Sequence, residues 1–68
     1  MQLKDNSAPA VEIHVGMSLK DVEMLLINAT LNATLHNIAR SAKILGIDRS
    51  TLYSKIEKYK IPNNRSLE

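Results

Sequence analysis

Residues 19–35 carry two apolar stripes on opposite sides of a single predicted helix. Neither Gly nor Pro interrupts this stretch, and Ser18 followed by Asp21 is typical of a helix start. At about 100° per residue, the first stripe contains Leu19, Val22, Leu25, Leu26, Ala29 and Ala33, and the second contains Met24, Ile27, Leu31 and Leu35. A surface helix normally has one apolar stripe, so we expect this helix to pack against other protein surfaces on two sides.

The chain has too few residues to bury both apolar stripes of this helix. Its 68 residues form one small domain at most, with a modest core, and the absence of cysteine removes disulfides as a source of stability. We therefore expect the first stripe to be the dimer interface with a second copy, because Ala29 and Ala33 allow close approach of two helices. Ile27 and Leu31 would then pack on the rest of the same chain. The alternative is a central helix wrapped by its own chain.

Composition and patterning exclude several classes of protein. The longest unbroken apolar run, Met24–Ile27, is too short to span a membrane, and the N-terminus lacks the pattern of a signal peptide. We therefore expect a cytoplasmic protein, and the unusual opening MQLKDNSAPA suggests a piece of a longer chain.

The sequence contains no recognisable arrangement for catalysis or for binding a metal. His14 and His36 lie far apart, with no carboxylate at ligand spacing, and two glycines in the whole chain cannot form a phosphate-binding loop. Asp21 and Glu23 lie next to a helix start, where their negative charges interact favourably with the helix dipole. We expect no enzymatic activity, no metal and no cofactor.

Two shorter helices are predicted after the long one. Asn37 is a suitable cap for a helix over Ile38–Leu45, Gly46 suits the left-handed position after its end, and Asp48 is a suitable cap for a helix over Arg49–Tyr59. The predicted packing residues are Ala39, Ala42, Ile44 and Leu45 on the first of these helices and Leu52, Ile56 and Tyr59 on the second. The expected fold is all-α.

The segments on either side of the helices have a different character. Residues 1–17 are predicted to be a linker or extended lead-in, within which Val11–Val15 alternates apolar and polar residues as a strand does. A lone strand is unstable, so this segment would lie on the helices or pair with another copy. Pro62 ends the last helix, and residues 62–68 are predicted to be a flexible tail. Residues 18–61 form the domain between them.

Positive charge is concentrated in the C-terminal half. Residues 36–61 contain six Lys or Arg and two acidic residues, whereas residues 1–35 contain two Lys and four acidic residues. Two helices joined by a tight turn can place the second helix in the major groove of DNA, with its N-terminal residues at the base edges. Here those residues are Asp48, Arg49, Ser50 and Thr51, followed one turn later by Tyr53 and Ser54.

The basic side chains of this region have distinct predicted roles on DNA. Arg49 is able to donate two hydrogen bonds to a guanine edge. Lys55 and Lys58 are placed to meet phosphates, and Arg40 and Lys43 on the preceding helix would hold the DNA backbone.

Several readings without DNA remain open from the residues alone. Short helix–Gly–helix patterns occur in many proteins that do not bind DNA. Arg49 would in that case pair with Glu12 or Asp48, Tyr53 would pack in the core, and the basic face would be solvated or would bind an acidic partner protein.

Residues 37–61, NIARSAKILGIDRSTLYSKIEKYKI, resemble the Fis-type helix-turn-helix that ends bacterial enhancer-binding proteins of the NtrC class. The matching residues include Asn37, Arg40, Leu45-Gly46-Ile47, Arg49 and Thr51-Leu52-Tyr53. Upstream, VEIHVGMSLKDVE resembles the lead-in of these activators. The likeness covers about residues 11–61.

This resemblance implies a homodimer held by the long helix and bound to inverted half-sites in double-stranded enhancer DNA. It implies that RNA polymerase with sigma-54 is contacted only through an ATPase domain that is missing here. The positions that match base readers are Asp48, Arg49 and Ser50, with Tyr53 and Ser54 as further candidates, and those that match phosphate contacts are Asn37, Thr51 and Lys55. Asp48 replaces a neutral residue, Ser54 and Glu57 replace basic residues, and Ala39 replaces Thr, which together imply weaker binding by an isolated domain.

Overall fold

The computed structural model describes residues 10–62, which form three helices: α1 (Leu19–Ala33), α2 (Ile38–Leu45) and α3 (Arg49–Tyr59). This confirms the predicted all-α class and the bounds of the two shorter helices. The parts of the predicted linker and tail at residues 1–9 and 63–68 lie outside the described residues.

Helix α1 begins where its cap was predicted but ends two residues early. The Ser18 hydroxyl accepts a hydrogen bond from the Asp21 N–H at 3.0 Å. After Ala33 the chain turns, and Leu35 and His36 adopt left-handed conformations with φ of 57° and 64°. Leu35 therefore leaves the helix and is 88% exposed. Its assignment to the second stripe is wrong, because the early helix end turns its side chain away from the core.

The core forms where all three helices meet. Ile27 and Leu31 of α1 are 2% and 0% exposed, which confirms that this side of α1 packs on the rest of the chain. The buried apolar residues are Ile27, Leu31, Ile38, Ala42, Leu52, Ile56 and Ile61. Leu45, Ile47 and Tyr59 pack at the edge of this cluster and are partly buried. Helix α2 packs against both of the other helices.

The packing face of α2 is rotated from the predicted one. Ala42 is buried and Leu45 is partly buried, as predicted, but Ala39 is exposed and Ile44 is 60% exposed. Ile38 and Ser41 take their places, at 7% and 0% exposure. Positions 38, 41, 42 and 45 follow the i, i+3, i+4, i+7 spacing of one helix face, and positions 39 and 44 do not.

No β-strand forms within residues 10–62. The strand proposed for residues 11–15 is replaced by a tight turn at Gly16, where Val15 and Met17 make an isolated bridge and the Met17 N–H bonds to the His14 carbonyl at 3.1 Å. Ile13 and Val15 are exposed. Within residues 10–62 no second strand completes the hydrogen bonds of this segment. Its pairing with the same segment of another copy stays a prediction.

The first apolar stripe of α1 lies largely at the surface. Leu19, Leu26 and Leu25 are 87%, 45% and 37% exposed. Ala33 is exposed, whereas Val22 and Ala29 are half-buried. The chain thus covers the second stripe of α1 with its own core and leaves much of the first stripe in contact with solvent.

Candidate nucleic-acid interface

The turn between α2 and α3 is built around Gly46. Its φ is 78°, in the left-handed region where a residue with a Cβ is strained. The Gly46 N–H bonds to the Lys43 carbonyl at 3.2 Å, and the Ile47 N–H bonds to the Ala42 carbonyl at 3.0 Å. These bonds end α2 as predicted and direct the chain into α3.

Helix α3 buries one side and exposes the other. Leu52 and Ile56 anchor it, at 0% and 6% exposure. The opposite side carries Ser50, Tyr53, Ser54 and Glu57, and Arg49 is exposed in the first turn of the helix. These five exposed residues are here called the outward face. Tyr53 is 42% exposed, so it does not pack in the core as one alternative proposed. The outward face is predominantly polar and contains one cation and one anion.

Arg49 does not form either of the ion pairs considered from the sequence. Glu12 lies instead 3.6 Å from Nε2 of His14. Within residues 10–62 the other ion pair joins Glu23 and Lys55, so the Arg49 guanidinium extends from the first turn of α3 without a carboxylate partner in the described chain.

Asp48 takes the predicted N-cap position of α3 with extended backbone, but its side chain makes no capping hydrogen bond. The prediction is therefore right for the position and wrong for the side-chain cap. The nearby Thr51 hydroxyl is the largest of the polar influences that hold the pKa of Asp48 below its usual value. Asp48 is consequently a carboxylate at neutral pH, exposed beside the start of the outward face.

Three predicted DNA contacts lie at α2. The Asn37 side chain accepts a hydrogen bond from the Arg40 N–H at 3.0 Å, which confirms Asn37 as the cap of α2 and leaves its amide NH₂ as a donor. Arg40 and Lys43 are exposed on α2. They add positive charge to the surface beside α3.

Lys55 and Lys58 occupy different environments. Lys58 is exposed, and its Nζ lies 5.5 Å from the centre of the Tyr59 ring, within the range of a cation–π contact. Lys55 is half-buried and pairs with Glu23 of α1, and the other oxygen of Glu23 accepts a hydrogen bond from the Tyr59 hydroxyl at 2.9 Å. Sequence reasoning missed this cluster, because spacing along one helix does not reveal a partner on another helix more than thirty residues away.

Neither a metal-binding cluster nor a membrane-spanning helix is found within residues 10–62. No group of three or more His, Cys, Asp or Glu side chains within residues 10–62 is arranged to hold a metal ion. None of the helices in this part of the chain is long and apolar enough to cross a membrane.

The described residues have the architecture of a helix-turn-helix: a capped helix, a left-handed glycine turn and a second helix with a polar outward face. Residues 18–59 match the family of bacterial regulatory proteins described as the Fis family, so the chain belongs to that family. Its members are DNA-binding regulators of transcription and are generally not enzymes.

One relative is a protein of Clostridium beijerinckii named "Signal-transduction and transcriptional-control protein". It is 48% identical over 44 residues, which span 65% of this chain and 7% of the relative. The chain thus corresponds to a small part of that protein. No solved structure gave a significant match.

Proposed function

We propose that this domain binds double-stranded DNA sequence-specifically, as a homodimer, at sites composed of two inverted half-sites. The observation that supports this most directly is the outward face of α3. It is held out by the buried residues Leu52 and Ile56, and it begins at the helix end that enters the major groove in helix-turn-helix proteins.

The proposed base readers are Arg49 and Ser50, in the first turn of α3, with Tyr53 and Ser54 one turn later. Arg49 matches the bidentate pattern of a guanine edge, and its exposure leaves the guanidinium available for that contact. Asp48 carries a negative charge, so it would accept a hydrogen bond from a cytosine amine rather than approach a phosphate.

The proposed phosphate contacts surround this face. Arg40 and Lys43 extend from α2 and Lys58 from the later part of α3, all exposed. Thr51 supplies a hydroxyl and Asn37 an amide NH₂. Contacts of this kind fix the register of a protein on DNA without specifying sequence.

The proposed dimer forms through the first stripe of α1. Leu19 and Leu26 expose apolar surface there, and burial of such surface contributes roughly 25 cal/mol per Å². A second copy would cover this stripe with the same stripe in a two-fold arrangement, and two outward faces would then meet two half-sites.

The larger role we propose is that of the DNA-binding part of a sigma-54-dependent activator of the NtrC class. Support comes from the resemblance of residues 11–61 to the end of such proteins and from the relative's name as a transcriptional-control protein. Contact with RNA polymerase would belong to another part of the parent protein.

Selection from a random double-stranded DNA library tests this proposal. We expect enrichment of one inverted repeat, whose symmetry and spacing report the dimer. Arg49 is exposed, so we expect Arg49→Ala to keep the fold and to relax the sequence preference at one base pair in each half-site. Failure of the wild-type domain to enrich any sequence would contradict the proposal and favour an interaction module that binds an acidic protein.

A further inference from the structure

The contacts among Glu23, Lys55 and Tyr59, here called the clasp, join α1 directly to α3. One oxygen of Glu23 pairs with the Lys55 ammonium, and the other accepts the Tyr59 hydroxyl at 2.9 Å. A single carboxylate on the long helix thus holds two side chains one turn apart on the helix proposed to read DNA. Both lie in its C-terminal half, away from the proposed base readers.

The clasp lies in a setting that favours defined geometry. The side chains of Lys55 and Glu23 are 28% and 34% exposed. They line a small groove whose other walls are Leu26, Ile27, Leu45 and Ile47. Apolar neighbours reduce the access of water to an ion pair and strengthen its hydrogen bonds. The pairing also holds the pKa of Glu23 below its usual value, through Lys55 first and Tyr59 second.

Lys55 lies on the wrong side of α3 for the outward face. Two residues along an α-helix correspond to a rotation of about 200°, so Lys55 is nearly opposite Tyr53. Lys55 and Tyr59 are half-buried, whereas Tyr53, Ser54 and Glu57 are exposed. Lys55 thus faces α1, and its sequence-based assignment as a phosphate contact competes with its pairing to Glu23.

We infer that Glu23 is a positioning residue that fixes the angle between α1 and the DNA-reading helix α3, and thereby the spacing between half-sites. This inference rests on the proposed DNA-binding function. The two α1 helices form the proposed dimer. Any rotation of α3 relative to α1 therefore changes the distance between the outward faces of the two copies. Glu23 acts through Lys55 and Tyr59 and does not touch DNA.

The test compares Glu23→Gln with Glu12→Gln in libraries of inverted repeats whose central spacer varies. Both changes remove one negative charge, but the partner of Glu12 within residues 10–62 is the exposed His14, and neither lies on a helix. We expect Glu23→Gln to broaden the preferred spacing and to weaken binding severalfold at the wild-type spacing. The preferred half-site sequence and the salt dependence should stay the same. Tyr59→Phe, which removes only the hydroxyl, should broaden the spacing less.

A charge swap separates the clasp from a role for Lys55 on DNA. The double variant Glu23→Lys with Lys55→Glu re-forms the ion pair in reverse and should restore the narrow spacing. If Lys55 instead binds phosphate, the swap would place a carboxylate at that phosphate, and it would bind DNA much more weakly than the wild type and than Glu23→Lys alone. Glu23→Gln alone would then bind every sequence more tightly, with a slope of log K against log salt steeper by about 0.9. Either of these results would overturn the inference.

Two other outcomes complete the test. In the first, the wild-type domain selects its site while Glu23→Gln and Glu12→Gln prefer the same spacing between half-sites. That result would overturn the positioning role of Glu23 and leave the proposed function intact. A wild-type domain that enriches no DNA would overturn the proposed function and this inference with it. Circular dichroism of each variant checks that the helices are retained.

Discussion

The hydroxyl oxygens of Thr34 and Ser41 lie 2.6 Å apart across the turn that joins α1 to α2. Ser41 is 0% exposed, so its hydroxyl depends on a protein partner. Thr34 also accepts a bond from the Asn37 N–H at 3.2 Å. This pair therefore connects the end of the long helix to the cap and the buried face of the next one.

We expect Ser41→Ala to lower the free energy of unfolding by about 1–2 kcal/mol, because a buried hydroxyl bond is lost. Thr34→Val should cost more, since it leaves the buried Ser41 hydroxyl without its partner. The double variant should cost less than the sum of the two single variants. Urea unfolding measures all three changes, and Ser50→Ala, at an exposed serine, is the control. If the losses of unfolding free energy in the two single variants simply add in the double variant, the hydroxyl groups of Thr34 and Ser41 are not coupled.

The helix ends were predictable because local chemistry determines them. Ser18, Asn37 and Gly46 each cap a helix end as expected, and their partners lie only a few residues away in the sequence. The polar contacts between helices were not predictable. The Thr34–Ser41 and Glu23–Tyr59 bonds depend on how the helices pack, and a buried serine such as Ser41 has no apolar signal to mark its face.

The end of α1 shows a second limit of local patterns. Leu35 continues the apolar spacing of the second stripe, so periodicity alone places it in the helix. In the structure the turn needs left-handed residues at positions 35 and 36, and a bulky residue there is unfavourable. The packing of α2 against α1 decides where the helix stops, and the propensity of Leu35 does not.

Leu35→Gly should therefore stabilise the domain. Its φ of 57° suits glycine, and its 88% exposed side chain contributes little burial. We expect a gain of about 0.5–1 kcal/mol, because left-handed backbone costs a residue with a Cβ roughly 1–2 kcal/mol and the greater flexibility of the unfolded glycine chain offsets part of that.

Leu35→Ala is the matched control, because it shortens the same exposed side chain but keeps the Cβ. It should leave the melting temperature nearly unchanged. Equal melting temperatures for the Gly and Ala variants would show that the left-handed backbone at residue 35 carries no strain.

Substitution of the first stripe tests the dimer. Leu26→Glu or Ala29→Glu should give monomers, because two copies would place charges opposite each other in an apolar contact. Asn28→Glu adds the same charge to an exposed position on another side of α1 and should leave the dimer intact. Analytical ultracentrifugation measures the mass. A wild-type monomer at high micromolar concentration would contradict the proposed interface.

The clasp predicts a dependence of stability on acid. The pKa of Glu23 is lowered in the folded state, first by Lys55 and then by Tyr59. Its contribution is therefore present above the ordinary carboxylate pKa of about 4.3 and is lost as the pH falls through the lowered value. Between about pH 5 and pH 2, unfolding free energy should fall less steeply for Glu23→Gln than for the wild type.

The pH profile needs a second variant, because Asp48 contributes in the same direction. Its pKa is also lowered, chiefly by the Thr51 hydroxyl. Asp48→Asn should remove a separate part of the acid dependence, and its effect should add to that of Glu23→Gln since the two carboxylates share no partner. Urea unfolding across this pH range gives the data. Identical acid profiles for the wild type and Glu23→Gln would show that the clasp does not form in solution.

Arg49→Ala and Arg40→Ala separate base reading from phosphate binding. Both residues are exposed arginines, but Arg49 opens the proposed reading helix and Arg40 lies on α2. On the selected site we expect Arg49→Ala to cost about 1–3 kcal/mol and to abolish discrimination at one base pair. Arg40→Ala should weaken binding to all DNA sequences alike, and it should reduce the slope of log K against log salt by about 1. Fluorescence anisotropy with single-base variants at several salt concentrations measures both effects. An unchanged sequence preference in Arg49→Ala would show that another residue reads that base.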